Sequence, residues 1–382
     1  MALSAETQKH IKRLNGVGKD LALRFARRDT AIDLMKLALL CREHVLLLGP
    51  PGTGKSELVS SFAQGVHAKL FHYLLTRFTE PAELFGPVDL KAFEQGRYQI
   101  STEGMLPWAQ VAFLDEVFQG SSAILNTLLS LIHERVFHNG AQPQAVPLLT
   151  LFGASNHLPD DPTLVAFSDR FVLRVEVEPV PDDSLEALLG CGWAMELGRI
   201  NPEAADNDFL ITPEQLEHCY RQLPLVKMDG LQTRYQEIIR QLRAEGVTLS
   251  DRRLVKGLKL IRAAAMLDGR DTADEQDLWP LHHVWSNPDD RAVLDEVVGT
   301  IVEDAGGPRR LHHRGLPELV EELDFLGNRA VGLRGDGAMM AHLSALGKVR
   351  QELLLYHAGE EQLLARVQEV IRQVLEGMAR YG

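Results

Sequence analysis

The sequence predicts an α/β fold with a parallel β-sheet. A phosphate-binding loop follows one strand of this sheet, and a helical region follows the α/β part of the chain. Residues 49–56 read Gly-Pro-Pro-Gly-Thr-Gly-Lys-Ser, directly behind the apolar run 45–48. A buried strand, a glycine-rich turn and a helix start in this order hold nucleoside triphosphates. Further short apolar runs, separated by helix-length segments, are typical of a buried parallel sheet.

The loop residues have distinct expected roles. Gly49, Gly52 and Gly54 allow backbone angles through which successive N–H groups converge on phosphates. We expect Lys55 to reach the β- and γ-phosphates and the Ser56 hydroxyl to ligate Mg²⁺. The predicted nucleotide-binding residues of this segment are Gly49, Pro50, Pro51, Gly52, Thr53, Gly54, Lys55, Ser56 and Glu57.

The remaining elements are predicted from hydrophobic periodicity. Residues 1–44 carry an apolar helical band, and beyond Pro179-Val180-Pro181 helical spacing continues, as in 252–267 and 360–379. Residues 93–104 have glycines near two short arms, which predicts a hairpin insertion near 89–104. Segment 304–337 is rich in Gly, Pro and Arg, and we expect loops there. The predicted strands are 45–48, 70–74, 111–114, 148–154 and 171–175.

Polar residues at two later strand ends predict the rest of a hydrolytic site. Asp115 and Glu116 end the third strand. We expect Asp115 to hold Mg²⁺ and Glu116 to deprotonate an attacking water, although acids also cap helices at such turns. Asn156 ends the fourth strand, where its amide can bind the water and the γ-phosphate, or be an ordinary turn residue.

Arginines supply further candidates. Arg170 precedes the fifth strand, from which it could project into the nucleotide site of a neighbouring subunit. Arg252 and Arg253 begin a later helix, from which a guanidinium could fold back over the phosphates. A surface charge or a simple salt bridge is an equally good interpretation of each arginine on residue type alone.

Composition narrows the function class. The chain has 382 residues, a formal net charge of −13 and three cysteines without C-x-x-C spacing. The acidic balance disfavours broad nucleic-acid binding, and the cysteines suit a reducing compartment. No apolar run approaches 18 residues and the N-terminus lacks an apolar signal core, so we expect a cytoplasmic protein without membrane insertion.

In combination, Gly-Pro-Pro-Gly-Thr-Gly-Lys-Ser, Phe-Leu-Asp-Glu, Ala-Ser-Asn and Ser-Asp-Arg-Phe resemble an AAA+ ATPase. The connecting segments 75–87, 96–98, 124–129 and 133–137 resemble the MoxR family, most closely its RavA-like branch. The resemblance covers roughly residues 10–285. It implies an AAA+ P-loop core with the hairpin inserted in its second helix. The implied domains are an α/β core at 1–180, an all-α lid at 181–290 and a C-terminal helical region at 291–382.

The resemblance also implies site roles and partners. Lys55 and Ser56 match Walker A, Asp115 and Glu116 match Walker B, and Asn156 matches sensor 1. Arg170 matches the arginine finger, with Arg135 as its competitor, and Arg252 matches sensor 2, with Arg253 as its competitor. The implied assembly is a homo-oligomeric ring, usually hexameric, that binds ATP and Mg²⁺ at subunit interfaces. Family members act as chaperone-like remodelers of a protein client, often with a von Willebrand factor A domain partner.

Several alternatives stay open at this level. The ATP-bound ring, rather than turnover, could carry the function as a nucleotide-gated binding scaffold. A nucleic-acid motor is disfavoured by the charge, and GTP by the absence of an N-K-x-D motif. The histidine pairs His282-His283 and His312-His313 lack a third ligand at a defined spacing, so packed or solvated histidines are favoured over a metal site. The chain lacks the β-rich insertion that the RavA branch uses for docking.

Overall fold

The structure is a computed structural model that describes residues 3–140, 142–200, 211–307, 316–330, 336–357 and 359–381. The chain divides into two compact units. The first comprises Met1–Gly18, Thr30–Pro179 and Asn207–Arg310, and the second comprises Lys19–Asp29, Val180–Asp206 and Leu311–Gly382. The domain boundaries expected at residues 180 and 290 stay predictions.

The first unit contains a five-stranded parallel sheet in the order β2-β3-β6-β1-β7. A separate antiparallel pair is formed by β4 and β5. The strands are β1 Val45–Leu48, β2 Leu70–Leu74, β3 Val111–Asp115, β4 Val136–Asn139, β5 Gln142–Ala145, β6 Thr150–Ser155 and β7 Leu173–Glu176.

Helices surround the sheet and make up the second unit. In chain order they are α1 Ala5–Arg24, α2 Asp29–Cys41, α3 Lys55–Gly65, α4 Pro81–Phe85, α5 Leu90–Glu94, α6 Ser122–His133, α7 Pro162–Ser168, α8 Leu185–Ile200, α9 Pro213–Gln222, α10 Leu231–Ala244, α11 Asp251–Leu267, α12 Asp290–Asp304, α13 Leu316–Ala330, α14 Asp336–Tyr356 and α15 Glu361–Tyr381. A 3₁₀ helix, Glu275–His283, connects α11 to α12.

Strand β1 is an interior strand of the sheet and pairs on both sides. Val45 lies opposite Phe152 of β6 and opposite Leu173 of β7. All four residues of β1 and all six of β6 are buried. The uninterrupted apolar runs that the sequence shows therefore reflect strands covered on both faces, as parallel sheets require. The five predicted strands are confirmed, with ends shifted by up to two residues.

The predicted hairpin over residues 93–104 is wrong in detail. Antiparallel pairing is limited to a single bridge between Val88 and Ile100, and the short helix α5 occupies the segment between them. The Asp89 side chain accepts hydrogen bonds from the backbone N–H groups of Lys91 and Ala92, which caps this helix. The two-stranded hairpin of this unit is instead β4–β5, which the sequence analysis did not identify.

The second unit is a helical bundle with its own core. Helices α13, α14 and α15 bury a common apolar cluster. Within the segment 304–337, where loops were expected, Leu316–Ala330 is helical, and its Leu319, Leu323 and Leu326 recur at helical spacing and are buried. His312-His313 lie outside the described residues. No helix in the described part of the chain is long and apolar enough to cross a membrane.

His44 directly precedes β1 and connects this strand to β6 and α6. The backbone N–H of Leu151 in β6 donates to its Nδ1 at 3.0 Å, and its Nε2 lies 3.0 Å from the carbonyl oxygen of Ile132 in α6. Because Nδ1 accepts, Nε2 carries the proton and the ring is neutral. Burial lowers the pKa of His44 well below its ordinary value, and the nearby Arg135 charge acts in the same direction.

This histidine predicts a pH-dependent stability. The unfolded chain binds a proton at His44 below about pH 6.5, whereas the folded protein does not, so the free energy of unfolding falls as the pH drops below that value. We expect His44→Gln to be less stable at pH 7.5 and to lose about 1 kcal/mol less than the wild type between pH 7 and 5.5. Urea unfolding at pH 7.5, 7 and 5.5 measures the free energy of unfolding. Equal decreases between pH 7 and 5.5 in the two proteins would contradict the prediction.

Candidate functional site

The loop between β1 and α3 has the backbone shape that the glycines predict. Gly54 adopts φ 79° and ψ 16° at the N-terminus of α3, and no side chain caps this helix. Gly49 has φ 146°, and a Cβ atom on it would lie 2.3 Å from the carbonyl oxygen of Val177. Uncapped helix N–H groups beside a glycine-rich loop form a cradle for phosphate.

Lys55 lies along this loop. Its side chain is buried, and Nζ donates to the carbonyl oxygens of Gly49 and Pro50 at 2.8 Å each. Thr53 Oγ1 is 3.4 Å from the same nitrogen. The ammonium is therefore held at the mouth of the phosphate cradle, and Ser56 occupies the first turn of α3 next to it.

The acids and the amide predicted from the sequence meet at the same edge of the sheet. Because β1, β6 and β3 are parallel neighbours, their carboxyl ends place the loop, Asn156 and Glu116 side by side. Asn156 Nδ2 donates to Glu116 Oε1 at 3.2 Å. The backbone N–H of Glu116 donates to Asp115 Oδ1 at 3.1 Å. The structure thus brings together Lys55, Asp115, Glu116 and Asn156.

Glu116 has an unusual backbone. Its φ of 49° and ψ of 47° lie in the left-handed region, which costs a residue other than glycine on the order of 1–3 kcal/mol. The conformation begins the 3₁₀ turn Val117–Gln119, in which the N–H of Gln119 donates to the Glu116 carbonyl at 2.8 Å. This local strain directs the carboxylate toward Asn156, and strained backbone of this kind is common at functional sites.

A cavity of about 540 Å³ adjoins the start of the loop. Its lining includes Gly49, Pro50, Asn156, Asp169, Ser286, Asn287 and Pro288. Its mixed apolar and polar lining and its position beside the phosphate cradle suit the remainder of a nucleotide.

The opposite, amino edge of the sheet carries a basic pocket of about 190 Å³. Six cationic side chains and one carboxylate line this pocket, which gives it a formal charge of +5. The charged residues are Arg42, Arg135, Arg170, Arg252, Lys256, Lys259 and Glu43. The structure therefore places the three arginine candidates Arg135, Arg170 and Arg252 together, and Arg252 is not among the residues that line the cavity beside the loop.

Three guanidinium nitrogen atoms at this basic pocket have no hydrogen-bond acceptor among the described residues. Arg42 Nε, Arg135 Nη1 and Arg170 Nε are buried atoms with no hydrogen-bond partner among the described residues. Buried donors without partners are rare in folded proteins and require an explanation. An anion that enters the basic pocket would satisfy them.

Arg135 is held more tightly than Arg170. Its Nη2 donates to the carbonyl oxygens of Arg42 at 2.7 Å and Leu149 at 3.2 Å, and its backbone φ is 57°. Burial lowers the pKa of Arg135 to about 10, so it stays protonated at neutral pH. Arg135 is thus anchored to the backbone at the amino ends of β1 and β6.

Glu43, Lys256 and Lys259 are functional-site candidates that the sequence analysis missed. The buried Glu43 carboxylate accepts from Lys256 Nζ and Lys259 Nζ at 2.6 Å each. The two lysines are three residues apart and therefore share one face of α11. Their helical spacing after Arg252 was a possible signal, but only the tertiary fold shows that they face Glu43 in front of β1.

Arg252 and Arg253 differ sharply in their surroundings. Arg253 is fully buried and donates to four backbone carbonyl groups at 2.8–3.2 Å as well as to the Asp169 carboxylate. Arg252 is partly exposed and has only a 3.6 Å ion pair with Asp169 among the described contacts. Arg253 is therefore a structural residue, and of the two only Arg252 is placed to bind a ligand.

The histidines of the pair His282-His283 each have a protein partner. His282 Nδ1 lies 2.7 Å from Asp295 Oδ1, and His283 Nδ1 lies 3.2 Å from the carbonyl oxygen of Arg174. Within the described residues no cluster of three or more metal-ligating side chains occurs.

The sheet order, the loop and the helices that follow define a P-loop protein with an α/β AAA+ core and a helical lid. Comparison with protein families specifies it further. Residues 12–218 match the MoxR domain of the MoxR-vWA-beta-propeller ternary systems, and residues 232–298 match an AAA lid domain. Because the MoxR match spans more than half of the chain, the protein belongs to the MoxR family of AAA+ ATPases.

Individual relatives agree with this assignment. The chain is 33% identical to the uncharacterized protein MJ0812 of Methanocaldococcus jannaschii over 96% of its own length and 98% of that protein. It is 27% identical to the chaperone MoxR1 of Mycobacterium tuberculosis over 43% of this chain and 44% of that protein. A crystal structure of a candidate ATPase from Cytophaga hutchinsonii has the same fold, with a TM-score of 0.61 at 15% identity over 78% of this chain and 96% of that one. The RavA-like assignment within the family stays a prediction.

The contrast between the two neighbouring arginines is testable. We expect Arg253→Met to lower the free energy of unfolding by about 3–5 kcal/mol, because it leaves a carboxylate and buried carbonyl groups without their donor. Arg252→Met, the matched control, removes only an exposed ion pair and should change stability by less than about 1 kcal/mol. Urea unfolding of the two variants measures the difference, and equal losses would contradict the structural role of Arg253.

Proposed function

We propose that this protein is a Mg²⁺-dependent ATPase whose hydrolytic site is completed by a neighbouring copy of the chain. The observation that carries the proposal is the meeting of the phosphate loop, Glu116 and Asn156 at the carboxyl edge of the sheet, with Asn156 hydrogen-bonded to Glu116. Membership of the MoxR family supports ATP as the nucleotide.

Each residue of this edge has a chemical task in hydrolysis. The loop N–H groups and Lys55 bind the phosphates, and Glu116 orients and deprotonates the attacking water. The Asn156 amide donates to the Glu116 carboxylate, which places it to donate also to the γ-phosphate or the attacking water. Ser56 and Asp115 are the residues that would hold Mg²⁺, which neutralises phosphate charge.

The basic pocket supplies the complementary half. Strand β1 alone separates the two edges of the sheet by about 13 Å, which is longer than an extended arginine side chain. Arg170, Arg135 and Arg252 therefore serve the nucleotide of a second copy rather than their own. The pairing of one edge with the opposite edge of the next copy is a heterologous contact, which gives a ring where the rotation between copies closes. We propose a homo-oligomeric ring, with six subunits as the number expected for this family.

Among these arginines, Arg170 is the best candidate for the arginine finger. Its Nε lacks a partner, whereas Arg135 is anchored to two carbonyl groups and so sets the shape of the basic pocket. Arg252 extends from the first turn of α11 into the same pocket, where a second guanidinium would neutralise transition-state charge. In this proposal Arg252 acts on the nucleotide of the neighbouring subunit, and its sensor 2 role stays a prediction.

We further propose that turnover remodels a protein client in the cytoplasm, in association with a von Willebrand factor A domain protein. The support is at the level of relatives. The matching family model describes MoxR domains from systems that contain a vWA component, and one relative is named a chaperone.

The role of Glu116 provides the direct test. We expect Glu116→Gln to bind ATP with wild-type affinity and to hydrolyse it at least about 100-fold more slowly, because the base that activates water is lost. Glu303→Gln, which changes an exposed glutamate of α12, is the matched control and should be unaffected. Phosphate release and fluorescent-ATP binding measure both quantities. Wild-type turnover in Glu116→Gln would refute the assignment.

A further inference from the structure

Asp169 lies directly before Arg170 at the C-terminal end of α7. Three side chains bind its carboxylate, and all three come from the start of α11. Ser250 Oγ lies 3.2 Å from Oδ1 and 3.3 Å from Oδ2, Arg253 Nε donates to Oδ1 at 2.9 Å, and Arg252 Nη1 is 3.6 Å from Oδ2. The end of α7 is therefore bound to one turn of a lid helix.

Arg253 also binds the residues that follow Arg170. Its Nη2 donates to the carbonyl oxygen of Phe171 at 2.9 Å, and its Nη1 donates to that of Val172 at 3.0 Å. One rigid, planar guanidinium thus bonds to residue 169 on one side of Arg170 and to residues 171 and 172 on the other. The backbone of Arg170 cannot shift unless α11 shifts or these bonds break.

The same guanidinium also binds the segment that follows the 3₁₀ helix. Its Nη1 also donates to the carbonyl oxygens of Val284 and Trp285, which follow the 3₁₀ helix, at 2.8 and 3.2 Å. Arg253 is fully buried, so this arrangement is fixed by packing as well as by hydrogen bonds. Asp169 differs, because about a quarter of its side chain is exposed. The carboxylate is therefore the part of the network that can be altered with the least effect on the core.

We infer that Asp169 is a positioning residue that couples α11 of the lid to Arg170. It fixes the backbone from which Arg170 projects, so delivery of the arginine to the neighbouring subunit depends on where α11 lies. The inference rests on the proposed split ATP site and adds a residue and a direction of control to it. A lid movement in one subunit would then change hydrolysis in the next subunit.

Mixed oligomers separate this role from a merely structural one. An Arg170→Ala subunit keeps an intact site of its own but delivers no finger, whereas a Glu116→Gln subunit delivers a finger but cannot hydrolyse. We expect each variant to be nearly inactive alone and a 1:1 mixture to recover about a quarter of wild-type activity, since half the subunits have an intact site and half of those have a competent neighbour. This mixture is the reference for the split site.

Asp169→Asn should behave like Arg170→Ala. We expect its kcat to fall at least tenfold. Because Asp169 also lines the cavity beside its own phosphate loop, the mixing experiment, and not KM, shows whether its own ATP site still works. Mixing it with Glu116→Gln should restore activity toward the reference level, and mixing it with Arg170→Ala should restore none. Asp268→Asn removes an equally shielded carboxylate, paired with Arg270 at 3.3 Å, and should keep wild-type turnover.

The possible outcomes decide between the proposals. The positioning role is overturned if Asp169→Asn keeps wild-type kcat, or if Glu116→Gln subunits do not restore its lost activity. In either case recovered activity in the reference mixture still supports the split site. A reference mixture without recovered activity overturns both. If circular dichroism shows that Asp169→Asn is unfolded, Asp169→Glu takes its place, because it keeps the charge but displaces the carboxylate by one methylene, and the same mixing outcomes apply.

Discussion

The parallel pairing of β1 with β6 and β7 is the constraint on which the rest of this structure depends. Because all five strands of the sheet run the same way, every strand-end residue is assigned to one of two opposite edges. The carboxyl edge receives the phosphate loop, Asp115, Glu116 and Asn156. The amino edge receives Glu43 and His44 from the start of β1 and the segment that leads into β7. The two sets of groups lie at opposite edges of the sheet, and this separation is the reason for proposing that they meet across two copies of the chain.

Helix α11 gives the amino edge its shape. Lys256 and Lys259 bind the buried Glu43 in front of β1, and Arg253 binds the turn that leads into β7. Burying a guanidinium costs several kcal/mol unless its donors are satisfied, and here carbonyl groups and one carboxylate satisfy them. The result is a lid that is bonded to the edge opposite the phosphate loop.

Much of this arrangement could be predicted from the sequence, for identifiable reasons. Strands β1, β3 and β6 are buried on both faces, so their apolar runs are unbroken, and each polar site residue at the carboxyl edge ends or directly follows such a run. The antiparallel pair β4–β5 was missed because β5 is fully exposed and carries no apolar alternation. The choice between Arg252 and Arg253 could not be made from residue type, since it depends on which guanidinium the tertiary fold buries. Glu43 could not be predicted either, because a carboxylate beside a strand is common. Only the tertiary fold brings Lys256 and Lys259 against it.

The central claim is that the ATP site is divided between two copies of the chain. Specific ATPase activity measured across a wide range of protein concentration, with the molecular mass determined in the same samples, tests it most directly. We expect activity per subunit to be very low where the protein is monomeric and to rise in step with the fraction of assembled subunits. Full activity per subunit in samples that contain only monomer would contradict it.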